Sequence, residues 1–93
     1  MTVGILQLKL FIPQANSLKS KRQALRSLKD KIRSRFNVSV AEVGELEKWQ
    51  RAHLAVASLN SDKRAVNAVL SKIINLTDSC HNVELVDQTM EFI

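Results

Sequence analysis

The sequence predicts an α+β fold, a four-stranded antiparallel sheet covered on one face by two helices, and three observations predict it. Segments in which every second residue is apolar alternate with segments whose apolar residues recur every three or four positions. Along the 93-residue chain these segments run in the order βαββαβ. The two strands in the middle follow each other closely enough to pair as a hairpin, whereas the others connect through helices. Right-handed crossovers then set strands one and three side by side, which gives the sheet order 4-1-3-2 with both helices on one face, the ferredoxin-like arrangement.

Each element has its own warrant. In residues 3–12, VGILQLKLFI, period two sets Leu6, Leu8, Leu10 and Ile12 on one side of a strand and Ile5, Gln7, Lys9 and Phe11 on the other. Pro13 ends the run, since it brings no amide to a ladder. Asn16 and Ser17 offer side-chain oxygens to the orphan amides of a helix start, and Leu18, Leu25, Leu28, Ile32 and Phe36 recur on one stripe of that helix. Residues 37–44, NVSVAEVG, are rich in β-branched side chains. After the polar ELEK comes WQRAHLAVASL, residues 49–59, so the two runs read as a hairpin. Ser61 and Asp62 open a second helix, with Asp62 suited to its positive end, and Val66, Val69, Leu70, Ile73 and Leu76 form its apolar stripe. Residues 83–93, VELVDQTMEFI, make the fourth strand.

No linker, repeat or low-complexity stretch divides the chain, and a hydrophobic content of 45% suits one modest core, so residues 1–93 are expected to form a single domain. The lone Cys80 has no partner for an intrachain disulfide. The apolar runs fall well short of the roughly 20 residues that cross a bilayer, and the pattern of a charged, apolar and small-residue leader is missing. A reduced cytoplasmic protein with no membrane contact is the expectation.

The net charge of +5 is unevenly placed: residues 17–36 hold eight bases against one acid, while the rest of the chain is slightly acidic. On a helical wheel Lys19, Arg22, Arg26, Lys29 and Arg33 fall within roughly a quarter of the circumference. Like charges three and four residues apart each weaken a helix by about a few tenths of a kcal/mol, and Asp30 is the single acid present to offset them. A face that contacts phosphates is the functional expectation, against a merely solvated face or one that meets an acidic protein. Lys21 differs, because the wheel sets it among Leu25, Leu28 and Ile32. The plain expectation is a stem packed on apolar surface with its ammonium in water; the sharper alternative is a buried pair with Glu42 or Glu84.

If Leu54 and Val56 face the helices, then Trp49, Arg51, His53, Ala55 and Ala57 lie on the open face of the sheet, with Phe11 on the neighbouring strand. An RNA-recognition sheet would carry stacking aromatics at the middle of strands one and three, where this chain has Gln7, Lys9, Ala55 and Ala57. Small residues suit a close subunit contact better, with Trp49 at its rim, and a homodimer is the expected state. No metal site is expected from His53, Cys80 and His81, because adjacent ligands do not readily point at one ion. Asp62, Glu42, Glu45 and Glu47 read as surface carboxylates and not as an acid–base set. With Gly4 and Gly44 the only glycines, there is no phosphate-cradling loop. A protein that binds, with no cofactor and no catalytic residues, is the resulting expectation.

The SLKSKR that opens the first helix (residues 17–22), RFNVSVAEVG (residues 35–44) and WQRA (residues 49–52) together resemble the DUF503, or YlxP-like, family of small bacterial proteins. The resemblance spans nearly the whole chain and departs at Ala55, where many relatives carry Gly. It implies a ferredoxin-like fold and, through the family's frequent gene neighbourhood with translation-initiation and ribosome-maturation factors, a partner in RNA or a ribosomal particle. It implies no established activity.

Overall fold

The computed structural model describes residues Met1–Ile93 and orders them as β1 (Thr2–Phe11), α1 (Leu18–Arg35), β2 (Ser39–Gly44), β3 (Arg51–Asn60), α2 (Lys63–Asp78) and β4 (Glu84–Phe92). All four strands join one antiparallel sheet of order β2-β3-β1-β4, the ferredoxin-like arrangement of an α+β protein. β1 and β3 pair over their whole length, from Thr2 opposite Asn60 to Phe11 opposite Arg51. In that register Leu6, Leu8 and Leu10 share the helix side with Ala52, Leu54 and Val56, and all six are buried. Each edge strand carries one extra residue relative to its neighbour, Val43 in β2 and Val86 in β4, at the points where the ladders shift register.

Local chemistry starts both helices. Ser17 accepts from the Ser20 amide at 3.1 Å and Ser20 Oγ accepts from the Ser17 amide at 3.2 Å, so Ser20 fills the role that Glu or Gln usually plays in a capping box. Asp62 caps α2 by accepting from the Arg64 amide at 2.9 Å. α1 buries Lys21, Leu25, Leu28 and Ile32; Leu18 and Phe36, expected on the same stripe, stand at its two ends and are only partly covered. α2 buries Val66, Leu70, Ile73 and Thr77, and the Thr77 hydroxyl donates to the Ile73 carbonyl at 2.9 Å, which allows a polar residue at a core position.

The two helices sit at different depths. α2 lies close over β1, β3 and β4, and a Cβ placed on Gly4 would come within 2.9 Å of Leu70 Cδ1 and closer still to Val66. A larger residue at Gly4 would therefore force the Val66 and Leu70 side chains to shift. The α1 backbone approaches β2 and α2, while its Lys21 side chain reaches Arg51 at the start of β3. Neither helix is long and apolar enough to cross a membrane.

Two strands begin two residues later than the sequence expectation, β2 at Ser39 and β3 at Arg51. Trp49 belongs to the hairpin connection, not to β3, which begins at Arg51. The cause at β3 is the turn: Glu45 takes a left-handed conformation, φ 57°, and its carbonyl accepts from the Lys48 amide at 3.1 Å, so the chain curls before it can re-enter the sheet.

Candidate nucleic-acid interface

α1 displays Lys19, Arg22, Arg26 and Arg33 to solvent, with Lys29 half-buried beside them. No carboxylate lies within ion-pair distance of Lys19, Arg22, Arg26 or Lys29. Arg33 is placed differently. Its guanidinium donates to the Val40 carbonyl on β2 at 3.0 Å and stands 3.9 Å from Asp30, so part of its charge already has company. Lys31 and Arg35 are exposed on other sides of the helix.

Arg22, Arg26 and Lys29 converge on a cleft of about 270 Å³ between α1 and β2, whose remaining walls are Leu25 and Glu42. A carboxylate in that wall would oppose an anion were it free. It is not free. Lys21, one turn below, is completely buried, and its ammonium lies 2.9 Å from Glu42 Oε2. The sequence expectation of an ammonium in water is thereby corrected, as is that of Glu42 as a surface carboxylate: its side chain is only 16% exposed.

The reason lies in the hairpin. The three hydrogens of the Lys21 ammonium have three carbonyls to bond: Glu45 O at 2.9 Å, Arg51 O at 3.2 Å and Leu46 O at 3.4 Å. Glu42 Oε2 takes no directed hydrogen bond, so it meets the ammonium as a countercharge only. A buried ammonium with its hydrogens satisfied and its charge compensated is tolerable where a bare one is not. For the cleft the consequence is electrostatic. Lys21 cancels Glu42 from beneath, and the charges of Arg22, Arg26 and Lys29 remain uncompensated above.

On the open face of the sheet, His53 and Gln7 are joined at 2.8 Å between Nε2 and Oε1, with the histidine nitrogen as donor. Gly44 stands opposite His53, where a Cβ would lie 2.9 Å from Nδ1, so the glycine makes room for the imidazole. Arg51 lies over the Phe11 ring, 5.5 Å from its centroid. Ala55 and Ala57 occupy the middle of β3 beside Ala41 and Ser39 of β2. No three His, Cys, Asp or Glu side chains come together as a set able to hold a metal ion.

Leu46 and Gln50, which sequence reasoning missed, lie at the hairpin tip with Trp49, which it had set on the open face of the sheet. Leu46 and Trp49 are 55% and 56% exposed there, and Gln50 ties the tip to the segment between β1 and α1 by donating to Pro13 O at 2.9 Å and Ala15 O at 3.3 Å. The polar ELEK stretch signalled a turn, but nothing in it signalled that the buried Lys21 would hold its carbonyls.

Compared with known proteins, residues 3–90 match the profile of the family described as protein of unknown function (DUF503). The chain is also 29% identical over 82 residues to the uncharacterized protein YlxP of Bacillus subtilis (strain 168), an alignment covering 88% of this chain and 89% of that relative.

Proposed function

This chain belongs to the DUF503 family, and from that premise we propose that it is a cytoplasmic binding protein whose α1 face docks on the phosphates of structured RNA, free or within a ribosomal particle. The observation that carries the reading is the cleft between α1 and β2. Three bases line it without ion-pair partners, and its one carboxylate is cancelled by a buried lysine. Such an arrangement holds like charges together at a cost to the helix, and a polyanion relieves that repulsion while releasing its own counterions. The reading requires neither a cofactor nor catalysis.

Fluorescence anisotropy with an RNA duplex across a salt series tests it. With Lys19, Arg22, Arg26 and Lys29 engaged, the slope of log K against log salt is expected near −3.6, at about −0.9 per neutralised phosphate. Each change to Gln at these four positions removes nearly one unit of slope and weakens unrelated RNA sequences alike, because phosphate contacts position without reading bases. Arg33→Gln removes less, since that guanidinium already serves β2. Absence of binding at low salt, or equal competition by an acidic polypeptide, overturns the reading.

A second reading, self-association through the open sheet face as a homodimeric scaffold or sensor, is favoured by the exposure of Val43 at 51%, Leu59 at 62% and Ile93 at 73%. Sedimentation of wild type against Ala57→Asp decides it: a dimer that the aspartate splits supports the reading, and a monomer at high micromolar concentration removes it.

A further inference from the structure

We infer that the tip of the β2–β3 hairpin is a base-stacking platform, so that the RNA this protein takes presents an unpaired base beside a duplex: α1 holds the phosphates and Trp49 receives the base. The inference rests on the reading of α1 as an RNA-contacting face and deepens it by naming the class of RNA.

Three observations converge on the tip. First, Trp49 is more than half exposed beside an equally exposed Leu46, in a segment where the sheet cannot shelter it. Second, the backbone on both sides of Trp49 is tied down. Before it, Glu45 O and Leu46 O accept from the Lys21 ammonium. After it, Gln50 O accepts from the Ile12 amide at 2.8 Å, Gln50 Nε2 bonds Pro13 O and Ala15 O, and Arg51 O accepts from Lys21. An aromatic ring on a loop fixed in this way loses little freedom on binding, which favours a preorganised contact surface. Third, the groups that tie the tip belong to the first turns of α1 and the segment before it, so the tip sits at the end of α1 that carries Lys19 and Arg22. A nucleic-acid strand whose phosphates follow those bases reaches Trp49 next.

The chemistry of the tip also selects among occupants. Glu45 and Glu47 flank Leu46 and are exposed. Insertion into a lipid surface would strip water from both carboxylates and set them against anionic headgroups, whereas a flat base can stack on the indole and leave them hydrated. A fully paired duplex offers no free base face. The middle of the sheet offers no aromatic to stack on, since Gln7 pairs there with Ala55.

The chain contains one Trp and no Tyr, so its emission reports on this position alone. The experiment titrates the full chain with a stem-loop RNA carrying unpaired purines and with a fully paired duplex of equal phosphate count, following Trp emission and anisotropy. The stem-loop is expected to quench the emission and to bind roughly tenfold more tightly than the duplex, which leaves the emission nearly unchanged. Trp49→Ala is expected to erase the tenfold difference while keeping the duplex affinity and the salt slope, and Trp49→Phe to retain much of the preference. Stem-loop binding without quenching, or a Trp49→Ala loss that is equal for both RNAs, overturns the stacking inference and leaves the α1 reading standing. A blue shift on phosphatidylserine vesicles with no response to RNA overturns it in favour of a lipid surface. If neither RNA binds at low salt, the α1 reading falls and this inference falls with it.

Discussion

α2 comes so near the sheet that a side chain at Gly4 would displace those of Val66 and Leu70, whereas α1 keeps enough distance to lay a whole lysine between itself and the β2–β3 hairpin. The two helices cover one face of one sheet and start from similar caps, yet they divide the labour. α2 buries Val66, Leu70 and Ile73 with one internally satisfied threonine and closes over three strands. α1 gives one of its four buried positions to a cation and most of its outer face to others. One helix concentrates apolar burial, the main favourable term in folding; the other gives up part of it to hold charge in place. The comparison teaches that both helices build the core, α2 with apolar residues and one threonine, α1 with a buried cation among its leucines and an outer face crowded with like charge.

The largest effect is expected at the core stripes. Leu70→Ala should lower stability by roughly 4 kcal/mol and Leu28→Ala by roughly 3 kcal/mol, since each deletes fully buried atoms and leaves a cavity. Urea melts measure both, and a loss at Leu70 smaller than at Leu28 would reverse the assigned roles. Next comes Lys21→Ala, at about 3 kcal/mol, because Glu42 keeps its charge without a counterion and three carbonyls lose their donor. Adding Glu42→Gln to that background should restore about 1 kcal/mol or more, and a double-mutant cycle without coupling would show that the pair does not act as described. Gly4→Ala follows, at about 1–3 kcal/mol from overpacking against Val66 and Leu70. A neutral result would mean that α2 shifts freely.

The smallest effect has the opposite sign. Arg26→Gln should raise stability by about a few tenths of a kcal/mol, by relieving repulsion from Arg22 and Lys29, while it weakens RNA binding. A substitution that stabilises the fold and impairs the contact would be the cleanest mark of charge kept for a partner. Equal losses in both would instead make Arg26 a structural residue.

The strands, both caps and the apolar stripes were legible in the sequence because each is a local pattern: alternation in β1 and β3, Ser17 and Asp62 at the helix starts, Leu25, Leu28 and Ile32 along α1. The basic face was legible for the same reason, since wheel position follows from spacing alone. Lys21 was half legible. Its place among leucines pointed inward, but its acceptors come from Glu45, Leu46 and Arg51, 24 to 30 residues away, and become available only once the Glu45 turn has formed. The position of Trp49 failed on the same turn, because a run that reads as strand from its side chains loses its first two residues to the backbone geometry before it. Thr77 escaped because a hydroxyl bonding four residues back leaves no trace in hydropathy.

The Arg33 bond to Val40 has a colloidal consequence. An edge strand is a template on which other chains can add, and unprotected edges lead to sheet-to-sheet polymers. β2 spans only Ser39–Gly44, is kinked by the extra Val43, and has its Val40 carbonyl already accepting a charged bond, so an arriving strand meets a short and partly occupied rim. At the opposite rim, β4 bears the extra Val86 and the carboxylates of Glu84, Asp87 and Glu91. Both rims thus discourage the edge-to-edge strand addition from which fibres grow.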